Sequence, residues 1–306
     1  MSVRIGLGAA LLPETTPASF FRWVDLCEES EVDSIWFSER LAGPQHALEP
    51  MTAMAAVAGA TKRIKFGMNV VLLPLRDPLV LANECATIDY LSDGRLLPAF
   101  GVGALNAPEW RATGREPRGR GAIADEMIDL MVRLWEEDDV TFDGKHYQYE
   151  SASIAPRPVQ QPLPLWIGGS SDAAIKRTAL RGTGWLAGIQ TPAQVAPVVT
   201  KIKAAVAEAG RTIDEDHYGA GFPFRFGSWD DEPIARTAKA YSRFAALDPE
   251  ALFAVGGADE IAARAREYVA CGISKFVLRP LADSDADAYA QTQRLIEEVL
   301  PAVHTG

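Results

Sequence analysis

Histidine and cysteine are scarce in this chain, and each scarcity excludes some chemistry. Three cysteines (Cys27, Cys85, Cys271) and four histidines (His46, His146, His217, His304) are scattered over 306 residues. An odd set of distant cysteines with no C-x-x-C argues against a disulfide framework or a zinc centre, and the histidines show no ligand spacing. No metal site is expected. There is no Ser/His/Asp set and no G-x-S-x-G elbow, so acyl transfer lacks its parts. Basic excess is also missing: the net charge is −11, which leaves no cationic face for nucleic acid. The opening "MSVRIGLGAA" lacks a basic leader, and no apolar run approaches the ~18 residues of a membrane helix. A cytoplasmic protein without nucleic-acid or membrane partners is expected.

What is present is a rhythm. The chain is 48% hydrophobic, enough for a sizeable core, and short β-like runs alternate with helical ones. "VRIGLGAA" reads as a strand, and Thr16-Pro17 then opens a helix as N-cap and first helical residue. "SIWF", a short helix from Pro50 to Thr61 and "IKFGMNVVL" follow, and Asp77-Pro78 repeats the helix-opening pair. "RLLPAFGVG" is the fourth strand. Such alternation requires parallel strands, because only a crossover returns the chain to the same edge.

Between Ala104 and Leu163 the rhythm breaks, which reads as an insertion or lid: a helix over about 121–136, then "VTFDGKHYQY" with a two-residue hairpin signal at Asp143-Gly144. Beyond it come "LPLWIGG", a helix from about Asp172, "GWLAGI", a helix opened by the capping box from Thr191 to Gln194, "HYGAGFPFRF", helices over roughly 231–246 and 258–271, and "SKFVLRPL". About eight strands with intervening helices in one domain predict a (β/α)8 TIM barrel, an α/β fold, with an insertion after strand four; a doubly wound open sheet is the alternative.

In such barrels the reacting groups follow the C-terminal ends of strands. Those positions hold Ser38, Glu39 and Arg40 after strand two, Asn69 and Val70 after strand three, Gly103, Ala104 and Asn106 after strand four, and Gly168, Gly169, Ser170 and Ser171 after strand five. The last group combines main chain without Cβ atoms and the positive end of a helix, which suits an anion such as phosphate. A tight βα turn with Ser171 as a plain N-cap accounts for the same residues. The "GVG" at 101–103 lacks the third glycine of a dinucleotide fingerprint. Arg115, Arg118 and Arg120 in the insertion read as an anion site or as a solvated loop.

The series "DSIWFSERL", "IKFGMNVVLLPLRDPLVLANECATIDYLSDGRLLPAFGVGAL", "RLWEEDDVTFDGKHYQY" and "PLPLWIGGSSDAAIKRTALRGTGWLAG" resembles the bacterial luciferase-like superfamily, most of all its coenzyme F420-dependent oxidoreductases. The resemblance spans nearly all of the chain to about residue 190 and continues more loosely to "KFVLRPL". It implies a barrel holding F420, or alternatively FMN, in its wide mouth, with the phosphate on Gly168, Gly169, Ser170 and Ser171. Ser38, Asn69, Val70, Gly103, Ala104 and Asn106 would border the ring, and the Asn69-Val70 peptide would be cis. Glu39 and Arg40 stand where several relatives have an Asp-His pair, which makes them the catalytic candidates. Arginine stays protonated near neutral pH and cannot act as a general base, so Arg40 is read as holding an anionic or carbonyl-bearing substrate. Hydride transfer between the deazaflavin C5 and a small organic substrate is the implied reaction. An FMN-dependent two-component monooxygenase, or a flavin-binding barrel without catalysis, are the alternatives. The partners implied are the substrate, a homodimer copy and, for some relatives, a separate reductase.

Overall fold

The computed structural model describes residues 2–9, 11, 12, 14–43, 46–245 and 248–304, with backbone alone for 242–245. The first four βα units comprise β1 (Arg4–Gly8), α1 (Pro17–Glu28), β2 (Ser34–Phe37), α2 (Pro50–Ala60), β3 (Lys65–Met68), β4 (Val71–Leu72), α3 (Pro78–Ser92), β5 (Leu96–Leu97), β6 (Ala99–Gly101), α4 (Pro108–Thr113) and α5 (Arg120–Glu136). A hairpin of β7 (Val140–Asp143) and β8 (Gln148–Ala152) follows. The second half runs β9 (Trp166–Gly168), α6 (Asp172–Arg181), β10 (Gly184–Leu186), α7 (Pro192–Glu208), β11 (Tyr218–Ala220), β12 (Pro223–Phe226), α8 (Glu232–Ala245), α9 (Pro249–Leu252), β13 (Ala254–Gly256), α10 (Ala258–Ala270), β14 (Lys275–Pro280), α11 (Asp285–Arg294) and α12 (Leu300–Val303). No helix among the described residues is long and apolar enough to cross a membrane.

Pairing closes the sheet. β14 pairs with β1 in parallel, Arg4 opposite Lys275, and parallel pairs continue through β2, β3, β5 and on from β4 through β6, β9, β10 and β11 back to β14. First and last strands joined in this way make a TIM barrel and exclude the open doubly wound sheet. Strands three and four are each split: a cis peptide at Asn69-Val70 separates β3 from β4, and Pro98, which has no N–H to give the ladder, separates β5 from β6.

Local chemistry sets the helix starts. Thr16 and Ser19 form a reciprocal capping box, the Asp77 carboxylate accepts from the N–H groups of Leu79 and Val80, and the Gln194 side chain accepts from Thr191 N at 2.9 Å. α5 packs between α3 and α6 in the outer ring, so it is the helix of the fourth βα unit. What is added to the frame is α4 before it and the hairpin after it. The hairpin loop is Gly144 to Tyr147, with Asp143 paired to Gln148, longer than the two residues expected. The Glu126 carboxylate of α5 accepts from the N–H groups of Lys145, His146 and Tyr147, which satisfies the wider loop.

Two tryptophans fill the barrel. Trp36 and Trp166 meet edge to face with centroids 6.2 Å apart, Trp36 donates to Ser34 Oγ at 2.8 Å, and Trp166 Nε1 has no partner among the described residues. Glycine on adjacent strands makes the room: a Cβ at Gly67 would sit 2.8 Å from the Trp36 ring, and one at Gly184 2.6 Å from that of Trp166. Below them the buried Lys275 pairs with Asp33. Arg95 donates to carbonyls of Ala58, Thr61 and Ile64, and buried Asp89 accepts from Gln160, so these residues close the floor.

Candidate active site

At the other end of the barrel, where the strands finish, a cleft of ≈ 310 Å³ opens, within the usual range for small-molecule sites. It brings together Ser38, Glu39, Arg40, Asn69, Val70, Gly168 and Gly169 from the sequence-based set. Gly103, Ala104, Asn106, Ser170 and Ser171 are not among its lining residues. Ala104 and Asn106 are exposed, the Gly103 carbonyl accepts from Arg120 Nε at 3.0 Å, and that of Ala104 from Trp110 Nε1 at 2.7 Å. Arg115 is likewise bound, to the Pro74 carbonyl, so Arg115 and Arg120 both serve the main chain.

The floor of the cleft turns on Val70. A Cβ at Gly168 would lie 2.8 Å from Val70 Cγ1, and one at Gly101 2.7 Å from Val70 Cγ2, so both glycines make room for this side chain as it projects above the Trp36–Trp166 layer. Gly168 is therefore explained by a neighbour inside the protein. Gly169 is different: its φ of +106° demands glycine while a Cβ there would make only an ordinary contact at 3.5 Å. Its N–H is used by the Leu186 carbonyl and its own carbonyl by Trp185 Nε1 at 2.7 Å. Past it, Ser171 caps α6 by accepting from Ala174 N, and the Ser170 hydroxyl meets Gln190 Oε1. Among the described residues nothing accepts from the main-chain N–H groups of Ser170, Ser171, Asp172 and Ala173, which stand as open donors ahead of the capped Ala174.

Glu39 is 1% exposed, and both its oxygens are engaged. Oε2 accepts from Leu72 N at 2.8 Å and Oε1 from the Arg76 guanidinium, which also reaches Glu49 Oε1 at 2.6 Å. Burial holds the Glu39 carboxyl above its ordinary range, against the pull of Arg76. Arg40, exposed at the rim, donates through Nη1 to the Glu39 carbonyl at 2.7 Å.

Sequence reasoning missed the far wall. Gly8 ends strand one and Ala9 follows it; Ile189, Pro223, Tyr241, Leu252, Val277 and Arg279 come from the second half of the chain. Arg279 lies near the end of strand eight, where the strand-end rule applied to "SKFVLRPL" would have found it. Tyr241 carries no such signal, since α8 brings it back over the mouth. No lining residue comes from 104–163; the elements that cover this side, α8 and α9, follow β12.

The sequence and the fold are similar to those of known proteins. The chain is 32% identical over 165 residues to an F420-dependent glucose-6-phosphate dehydrogenase of Kineococcus radiotolerans, covering 52% of this chain and 49% of that one. It thus spans about half the length of this curated relative. Two solved structures share the fold, each with a TM-score of 0.83: the monooxygenase RslO1 from Streptomyces bottropensis, at 21% identity over 98% of this chain and 99% of that one, and an F420-dependent secondary alcohol dehydrogenase in complex with an F420-acetone adduct, at 19% identity over 100% of both. The sequence profile of the luciferase-like monooxygenases matches residues 1–246, and the chain belongs to that family.

Proposed function

We propose that the protein is an oxidoreductase using coenzyme F420, moving hydride between the deazaflavin C5 and a small organic substrate. The observation that carries this reading is the cleft at the mouth of a closed barrel, floored by main chain and by Val70 rather than by reactive side chains. A site with no cysteine, lysine or histidine among its described lining residues, and with its Glu39 carboxylate held by Leu72 N and Arg76, suits chemistry supplied by a bound group. The F420-dependent relative supports the choice of group.

The residues present fit such a cofactor. A flat ring needs a wide slot with little side-chain bulk, and Gly8, Ala9, Gly168, Gly169, Ala187 and Gly188 provide it. In this reading its phosphate lies on the open N–H groups of Ser170, Ser171, Asp172 and Ala173. Gly168 and Gly169 admit the linking chain, and Ser38, Asn69 and Val70 border the ring. Gly103, Ala104 and Asn106 form the rim on the strand-four side. When bound, the cofactor supplies a hydride donor or acceptor at C5.

The chain's own residues then position and polarise. Arg40, a permanent cation at the rim, holds an anionic or carbonyl oxygen of the substrate and takes no proton. Glu39 acts through others: it fastens the end of strand two to Leu72 N–H and Arg76, which keeps β4 in place and with it Val70. It is a positioning residue in this account.

FMN in the same cleft, with oxygen chemistry and a separate reductase, is the second reading, and a barrel that binds without reacting is the third. Titrating the purified protein with each cofactor, followed by hydride transfer to added acceptors, separates them. The proposal expects tight F420 binding, weak FMN binding and acceptor-dependent oxidation of the reduced deazaflavin. Tight binding of FMN alone overturns it.

A further inference from the structure

We infer that the cleft receives a carboxylate carried on an apolar body, and that Arg279 and Tyr241 are the groups that receive it. Calling this molecule the substrate rests on the oxidoreductase reading; the binding itself does not.

The ring order of the strands gives the first argument. Strand five, whose loop offers the main-chain donors for a phosphate, lies across the barrel from strand one. Arg40 follows β2 and Arg279 lies in β14, the two strands that flank β1. The cationic wall is therefore opposite the proposed phosphate end. Its charge is also net positive, since the charged lining residues are Glu39, Arg40 and Arg279. In a molecule of net charge −11 such a local reversal selects anions.

Arg279 and Tyr241 form the built part of this wall. Arg279 Nη2 donates to the Tyr241 oxygen at 2.8 Å, with the guanidinium carbon 5.8 Å from the ring centroid. Since the phenol oxygen accepts that bond, its own O–H remains to donate, and nothing among the described residues takes it. Arg279 makes no ion pair with a described carboxylate, so its other N–H groups remain to donate as well. The Tyr241 ring is held edge to face against Phe253 at 5.1 Å, and Phe253 is stacked on Trp229. Two donors of fixed position, one of them a planar fork, match the two oxygens of a carboxylate. The surrounding surface is apolar, from Ile189, Phe222, Pro223, Leu252 and Val277, which specifies the body to which the carboxylate is attached.

Calorimetric titration of the full chain with benzoate, benzyl alcohol and benzyl phosphate, without and with F420, tests this. Benzoate is expected to bind at millimolar concentration or tighter and benzyl alcohol far more weakly. Arg279→Gln should weaken benzoate about ten- to a hundredfold, as for loss of a charge-assisted bond, and Tyr241→Phe about three- to tenfold. Arg279→Lys should keep part of the affinity, and unchanged circular dichroism in all three variants shows that the fold is intact. No benzoate binding, equal binding of the alcohol, tighter binding of the phosphate ester, or indifference to Arg279→Gln overturns the inference. Arg279-dependent benzoate binding by a chain that fails to bind F420 sinks the cofactor proposal and leaves this one standing.

Discussion

The two ends of this barrel are made of different materials. At the floor, polar groups are matched: Lys275 with Asp33, Arg95 with three carbonyls, Asp89 with Gln160, and the Glu28 carboxylate with the N–H groups of Lys62, Arg63 and Ile64. At the mouth, main-chain donors beside Ser170, the phenol proton of Tyr241 and most of the Arg279 fork have no acceptor among the described residues. The difference separates stability from function. Satisfied groups below hold the fold, and unsatisfied groups above are what a ligand would complete.

Substitutions at the two ends should therefore part company. The largest stability effect is expected between them, at Trp166, where alanine removes a large, 2% exposed side chain packed against Trp36 in a slot that Gly184 opens. Denaturant unfolding of Trp166→Ala should show a loss of about 3–5 kcal/mol. A loss below about 1 kcal/mol would mean that the layer collapses around the gap.

A smaller, pH-dependent effect is expected at the floor. His304 Nε2 accepts from Ile5 N at 2.8 Å and so must be unprotonated there, and burial, with Arg4 nearby, pushes its pKa below the ordinary value. A group depressed in the folded state contributes its stability above the unfolded pKa, about 6.5, and loses it as pH falls through the lower folded value. Wild type should accordingly lose about 1 kcal/mol relative to His304→Ala as pH is lowered through and below 6.5. Parallel stability profiles for the two proteins would remove His304 from the account.

The smallest stability effect belongs to the mouth. A Cβ at Gly188 meets nothing within 4 Å, so Gly188→Ala should unfold within about 0.5 kcal/mol of wild type while weakening F420 binding severalfold. Unchanged binding would show that the ring does not lie against this segment.

Much of the frame was legible in the sequence because it is written in local chemistry. Thr16-Pro17, Asp77-Pro78 and the Thr191–Gln194 box each open the helix they predict, and the strand-end rule located the cleft's near wall from Ser38 to Gly169. What was not legible depends on distant contacts. β13 is three residues long and exists through its pairing with β12; the hairpin loop is set by Glu126, some twenty residues earlier. The double glycine at 168–169 looked like one signal and is two, since Val70 accounts for the first and backbone conformation for the second. Glu39 could be placed after strand two, but its engagement by Arg76 requires a partner 37 positions away.

The central claim is the division of the mouth into an anion-binding end at strand five and a substrate wall beside strand one. A crystal structure with F420 soaked in tests it most directly. The account predicts the phosphate against the main-chain nitrogens of Ser170, Ser171, Asp172 and Ala173, with the ring over Val70 and Arg279 left facing open space. A phosphate seated on Arg40 and Arg279 instead would contradict it.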